Sequence, residues 1–243
     1  MFCPGPGVRP TREPRDPRWG KRFVVVLLSA LTLLFLMAAI LVPPLVYAGG
    51  HDRGSLVDLL KSSRDILVGD VEDIRDGVDG HRIPYTEITL RLRENIRGEN
   101  RGETASFRQY GLLEPRSTAA GNLDLRITPE NWPRYQVGES VLLFLTNPAR
   151  KTGLRTTVGQ QRGKMRIAGG LIANADNNAG LFDNISVAPE LLSEEEKRLM
   201  TNRYGPVDAD EFLNLLRRAV NERWTETGKM LPSSEINNGH LIR

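Results

Sequence analysis

Cysteine is almost absent from this chain of 243 residues: the one thiol is Cys3, ahead of any segment that could fold as a domain. No disulfide framework and no cysteine metal site can therefore form in the rest of the chain. Cys3 also lies too far upstream of the end of the hydrophobic run to be a lipoprotein cysteine. Histidine is nearly as scarce. His51, His81 and His240 stand far apart, without the HExxH spacing that places two imidazoles on one helix face, so histidine ligation of a metal finds no support. There is no G-x-S-x-G and no Ser–His pair at a motif spacing, which leaves nucleophilic catalysis without a candidate. No internal repeat is present.

A different absence marks residues 23–42, FVVVLLSALTLLFLMAAILV. The stretch carries no charge, and only Ser29 and Thr32 are polar. About 20 helical residues span a hydrocarbon core of about 30 Å, and a helix satisfies its own backbone hydrogen bonds there. In front of it, Arg9, Arg12, Arg15, Arg18, Lys21 and Arg22 oppose Glu13 and Asp16, a local net charge of +4. By the positive-inside rule this tail stays cytoplasmic and the chain beyond the apolar run crosses the membrane. Two readings stay open. The length of the run favours an uncleaved anchor. Pro43 and Pro44, followed by Val46-Tyr47-Ala48, favour a signal peptide cleaved before Gly49. The total charge is +3, so the part beyond the tail carries −1; the high isoelectric point belongs to the leader and does not argue for nucleic-acid binding.

Beyond a short spacer, Ser55 followed by Asp58 opens a brief helix with Leu56, Leu59 and Leu60 as its stripe. Residues 66–71 read as a strand, and the acidic, Gly-containing stretch 73–81 as a turn or loop. Residues 85–93 alternate: Ile88, Leu90 and Leu92 face one way, Glu87, Thr89, Arg91 and Arg93 the other, as in a half-buried antiparallel strand. Residues 104–110, the alternating Leu123, Leu125 and Ile127, and the segments 155–158 and 163–173 supply further short strands. The run Val141–Leu145 is too apolar for a half-exposed strand and belongs at the centre of the core. Ser193 and Glu196 form a capping box, and a second helix after Asp208 carries Phe212, Leu215, Leu216, Ala219 and Val220 along one face, which packs on the β domain. Many short strands with frequent turns and no long interrupting helix predict a mainly β fold: a small antiparallel β-barrel (OB-like) or sandwich, preceded by one transmembrane helix and followed by two short α-helices. The expected organisation is a basic cytoplasmic tail (1–22), a transmembrane anchor or signal peptide (23–48), an exported β-barrel domain (49–184), a helical segment (185–225) and a flexible tail (226–243).

Several pieces in this order resemble a family. They are residues 56–71 (LVDLLKSSRDILVGDV), 83–90 (IPYTEITL), 107–111 (FRQYG), 137–145 (VGESVLLFL), and 153–159 with 161–165 (GLRTTVG, QRGKM). Together they are similar to an uncharacterised family of exported bacterial proteins with one β-rich domain behind a signal sequence. The resemblance covers about half the chain, and Met165 stands where that family usually has Phe. It implies export and a β fold, and it brings no catalytic residue with it.

Candidate chemistry is thin. Asn174, Asp176 and Asn178 stand at alternate positions like oxygen ligands of a calcium loop, but Ala179 replaces the turning glycine and Ile185 the closing glutamate. Asp70, Asp73, Asp76 and Asp79 are spaced wrongly for the same purpose. The feature that stands out is cationic: Arg150, Lys151, Arg155, Arg162, Lys164 and Arg166 fall in 17 residues that contain no acid. Arg162, Lys164 and Arg166 alternate, so a strand would project all three from one face. Such a strip suits an anionic headgroup, a phosphorylated envelope polymer or an acidic protein; its bland alternative is a solvated face paired with neighbouring acids. Nucleic acid is disfavoured, because only Phe107 or Tyr110 offers a stacking surface. The expectation is a non-catalytic, membrane-anchored envelope protein, or a secreted one if cleaved after Ala48. It touches the membrane through 23–42 and binds a protein or anionic partner through the β domain, without cofactor or metal. A secreted hydrolase with an unrecognised carboxylate site and a structural single-pass subunit of a membrane complex are the alternatives.

Overall fold

The computed structural model describes residues 54–99, 102–117 and 121–237. The basic tail and the segment 23–48 read as anchor or signal peptide lie outside the described residues. Among the described residues no helix is long and apolar enough to cross a membrane. The elements are α1 (Leu56–Ser62), β1 (Asp65–Val78), β2 (Pro84–Arg97), β3 (Thr104–Tyr110), β4 (Arg116–Ser117), β5 (Leu123–Asp124), β6 (Ser140–Leu145), β7 (Lys164–Ala168), β8 (Leu171–Asn174), β9 (Ile185–Val187), α2 (Glu194–Met200), β10 (Val207–Asp208), α3 (Ala209–Asn221), β11 (Met230–Pro232) and α4 (Ser233–Asn237). The protein is mainly β, with short helices. One antiparallel sheet of seven strands runs β10-β8-β7-β6-β1-β2-β3; β9 pairs with β11 and β4 with β5 in two small ladders.

The long hairpin β1–β2 organises the sheet. Its sequence alternates where one face is wet, and Ile88 and Leu90 are fully buried as their spacing predicts. The stretch 73–81, expected as a loop, is instead mostly strand: β1 continues to Val78, and the turn is confined to Asp79–Ile83. Asp79 Oδ1 accepts from the N–H groups of His81 and Ile83, at 2.9 and 2.8 Å, and that ties the turn. Polar residues hid the strand because they are paired: Asp73 meets Arg75, and Asp76, in register with Thr86, meets Arg116. The register slips between Val71 and Asp73, so Glu72 is an extra residue. This bulge switches the inward phase from Leu67 and Val71 to Ile74, and it bends the sheet.

Strand β6 lies between β1 and β7, and all five residues of Val141–Leu145 are buried. Alternate side chains enter two different cores. Leu142 and Phe144 join Ile66, Val68, Met165 and Ile172 beneath α1 and α3, where Phe212, Leu215, Leu216 and Trp224 complete the packing. Val141, Leu143 and Leu145 face the other way, with Leu67, Val71, Ile88, Leu90, Phe107 and Tyr135. The two helices begin as their sequences dictate. Ser193 and Glu196 cap α2 reciprocally, and Asp208 accepts from the Glu211 N–H at the start of α3. Along α3 the predicted stripe is buried at Phe212, Leu215, Leu216 and Ala219.

Three further segments depart from the expectation. Residues 155–158 form no regular strand, yet they link two: the Arg155 N–H donates to the Arg108 carbonyl of β3 at 2.8 Å, and the Val158 N–H to the Phe144 carbonyl of β6 at 2.7 Å. Leu123, Leu125 and Ile127 alternate but do not enter a core; Leu123 and Leu125 are 58% and 66% exposed. The segment after 226, expected as a flexible tail, contains β11 and α4, and Met230 of β11 is fully buried. Met230, Leu231 and Pro232 pair with Val187, Ser186 and Ile185 of β9. Residues 238–243 lie outside the described residues.

Candidate functional site: a cationic cleft with a polar inner chamber

The six cations of the basic strip do not share a face. Arg150 and Lys151 are exposed in the loop after β6. Arg155 is buried and meets Asp65 at 2.6 Å, with side-chain exposures of 7% and 1%. That pair belongs to the fold. Arg162 lies in a short 3-10 turn rather than in a strand, and it pairs with Asp176 at 2.6 Å. Lys164 and Arg166 are the two that β7 presents together, being two residues apart.

Lys164 is held from three sides. Its ammonium reaches Glu139 at 2.6 Å and donates to the Arg134 carbonyl at 2.6 Å. It also sits 4.8 Å from the centre of the Tyr135 ring. Glu139 accepts in addition from the Gln136 N–H at 2.9 Å. Arg166 is exposed and holds no ion pair among the described residues. Arg134, also exposed, lies beside it on the rim.

Two concavities meet at Arg134, Lys164 and Arg166. The outer cleft, about 540 Å³, has Trp132, Pro133, Ala168, Leu171 and Pro206 on its walls. The inner chamber, about 360 Å³, is half polar, with Ile74 and Leu113 in its apolar part, and reaches between β2, β3 and the segment before β6. Thr86, Gln109, Thr128 and Tyr135 line it, all at least nine-tenths buried. Against Thr86 and Thr128 lies Gly111, whose φ of +104° suits glycine and whose missing Cβ lets the Thr128 backbone approach; any side chain there would strike that backbone. Thr86 Oγ1 donates to the Gly111 carbonyl at 2.7 Å. Gln109 Nε2 donates to the Pro133 carbonyl at 3.0 Å, which fixes the amide so that Oε1 is the free end. Gln109 Oε1 and the Tyr135 hydroxyl have no hydrogen-bond partner among the described residues. Burial, and then the charge of Glu139, push the Tyr135 phenol well above its usual range, so it keeps its proton.

The acidic candidates are occupied elsewhere. Asn174 Oδ1 accepts from the N–H groups of Asp176 and Asn178, at 3.0 and 2.8 Å, and Asn178 Nδ2 donates to the carbonyls of Ile172 and Gly205. This is a side-chain-tied turn. Asp73 pairs with Arg75, Asp70 and Asp79 serve the β1–β2 hairpin, and Asp76 ties β1 to the segment after β3 through Arg116 and the Leu113 N–H. His81 is exposed on the β1–β2 turn; His51 and His240 lie outside the described residues. Sequence reasoning found Lys164 and Arg166 but missed Arg134, Trp132, Gln109 and Tyr135. The alternation of β7 signalled the first two. Nothing local signals the others, because the chamber forms only when residues about 25 positions apart are brought together. Comparison of the chain with protein-family models, with curated proteins and with solved structures yields no match in any of the three.

Proposed function

We propose that this is a non-catalytic binding protein of the cell envelope, held at the membrane through residues 23–42 or released after Ala48, whose β domain takes an anionic partner in the cleft at Arg134, Lys164 and Arg166. The observation that carries the reading is the meeting of three cations, Arg134, Lys164 and Arg166, at the junction of two concavities, against two carboxylates, Glu139 in the inner chamber and Glu130 on the outer cleft. A surplus of positive charge on a partly enclosed wall attracts anions more strongly than scattered surface lysines do. The backbone links from β3 through Arg155–Val158 to β6 support the finer reading of β1, β2, β3 and β6 as a small OB-like barrel, with the cleft on its side.

The test uses the full-length protein and three defined polyanions: polygalacturonate, poly-glutamate and phosphatidylglycerol vesicles. At least one is expected to bind in low salt and to weaken as salt is raised. Arg134→Glu together with Arg166→Glu, which touches no ion pair of the fold, is expected to reduce that binding about tenfold or more. Binding unchanged in the double variant, or no binding to any of the three, defeats the reading.

A further inference from the structure

The place where the chain enters the domain bears on what the outer cleft faces. Gly54, where the described residues begin, is buried against the side chain of Arg162; a Cβ there would overlap that guanidinium. Arg162 pairs with Asp176, and the chain neighbours of these two, Gln161 and Ala175, line the outer cleft. The chain therefore enters beside the cleft wall. Residues 43–53 alone separate Gly54 from the apolar run 23–42, and they span at most about 40 Å when fully extended. An anchored domain thus keeps its cleft within reach of the bilayer surface. The lining suits that surface better than it suits a dissolved polymer. Its walls are largely apolar, with Trp132, Pro133, Leu171 and Pro206, and Leu171 is 47% exposed; Arg134 and Arg166 stand exposed at the rim. Exposed apolar side chains, a tryptophan and arginines around one opening are the combination that enters the boundary between lipid headgroups and acyl chains. The charge balance points the same way. Glu139 takes up Lys164, and Glu130 opposes Arg134 and Arg166, which leaves a surplus of one cation. An arginine beside an anionic bilayer contributes about fivefold in affinity. That is too little to capture a free protein, but enough to orient one that its own anchor holds at high effective concentration.

We infer that the cleft seats on the lipid surface that anchors the protein: Arg134 and Arg166 meet the phosphates of anionic lipids, Trp132 and Leu171 enter the interfacial layer, and the chain's entry at Gly54 lies on the same side. This rests on the proposed anion-binding cleft in its anchored form, and it names the bilayer as the partner.

Trp132 is its own reporter. Trp224 is buried in the first core and Trp19 belongs to the basic tail, so the fluorescence lost in Trp132→Phe is that of Trp132. The full-length protein is reconstituted in phosphatidylcholine vesicles with and without phosphatidylglycerol, each containing lipid brominated in the upper acyl chain, a short-range quencher. Quenching of Trp132 is expected to be stronger with phosphatidylglycerol and to weaken as salt is raised. Arg134→Glu together with Arg166→Glu is expected to reduce it about twofold or more, while the variant floats with the vesicles as the parent does. Leu171→Gln, which changes no charge, is expected to reduce quenching and keep its salt dependence. Quenching that is equal in the two kinds of vesicle, or unchanged in the double arginine variant, overturns the lipid inference. Recovery of the protein only as a form beginning at Gly49 overturns it too. Polygalacturonate and poly-glutamate then separate the two readings. Binding of either that depends on Arg134 and Arg166 leaves the anion cleft standing with a soluble partner; binding of neither removes the cleft as well.

Discussion

Asp70 shows how much an individual contact can settle. It accepts from Arg93 Nη2 at 2.6 Å and Nε at 3.0 Å, and from Ser140 Oγ at 2.6 Å, so it joins β1, β2 and β6. Burial acts to raise its pKa, but the hydrogen bonds from Ser140 and Arg93, with the charges of Arg93 and Arg91, outweigh it and hold the carboxyl below its usual range. A depressed folded-state pKa contributes stability that is complete above the unfolded value, near 4, and is lost as pH falls through the folded one. Asp70→Asn is expected to cost about 1 kcal/mol at pH 7 and progressively less toward pH 3. Urea midpoints across that range check it; a difference independent of pH would trace the effect to shape rather than charge. At this scale the candidate site was half legible. Lys164 and Arg166 follow from alternation along one strand. That Lys164 is neutralised by Glu139, and that Gln109 presents a bare carbonyl oxygen, depends on partners 25 and 24 residues away, which no local pattern encodes.

Among the elements, the connection from β3 to β6 offers the clearest test. Arg155, which bonds back to β3, is salt-bridged to Asp65 at the first residue of β1, so three parts of the sheet meet at one buried ion pair. Removing one partner strands the other charge: Arg155→Met is expected to cost about 3–5 kcal/mol, and the double variant Asp65→Leu/Arg155→Met less than the sum of its singles. Thermal denaturation of the four proteins gives the coupling directly. The elements that could be read from sequence are those whose signal is internal. β2 shows its alternation, β6 its unbroken apolar run, α2 its capping box and α3 its stripe. The outer half of β1 could not be read, because paired aspartates, Asp73 with Arg75 and Asp76 with Arg116, look, in isolation, like loop residues. Leu123, Leu125 and Ile127 misled in the opposite sense: they have the period of a half-buried strand, but among the described residues β5 pairs only with the two-residue β4, and no second layer covers them.

For the whole molecule, the arrangement of the two cores decides how it unfolds. Because β6 sends alternate residues into both, neither can open while the other stays shut, and one cooperative transition is expected. Trp224→Ala, deep in the first core, should cost about 3–5 kcal/mol and shift the far-ultraviolet, near-ultraviolet and calorimetric transitions together; separated transitions would show that the cores melt independently. The same core has a further consequence. Its wall is built from the N-terminal side of the domain at Leu56, Leu59 and Leu60 and from the far side at Phe212, Trp224 and Met230. A chain delivered end-first, from a ribosome tunnel or through a narrow pore, cannot close that wall until residue 230 has emerged. Until then its leucines stay uncovered and the polypeptide remains threadable, so the fold itself delays completion until delivery is over.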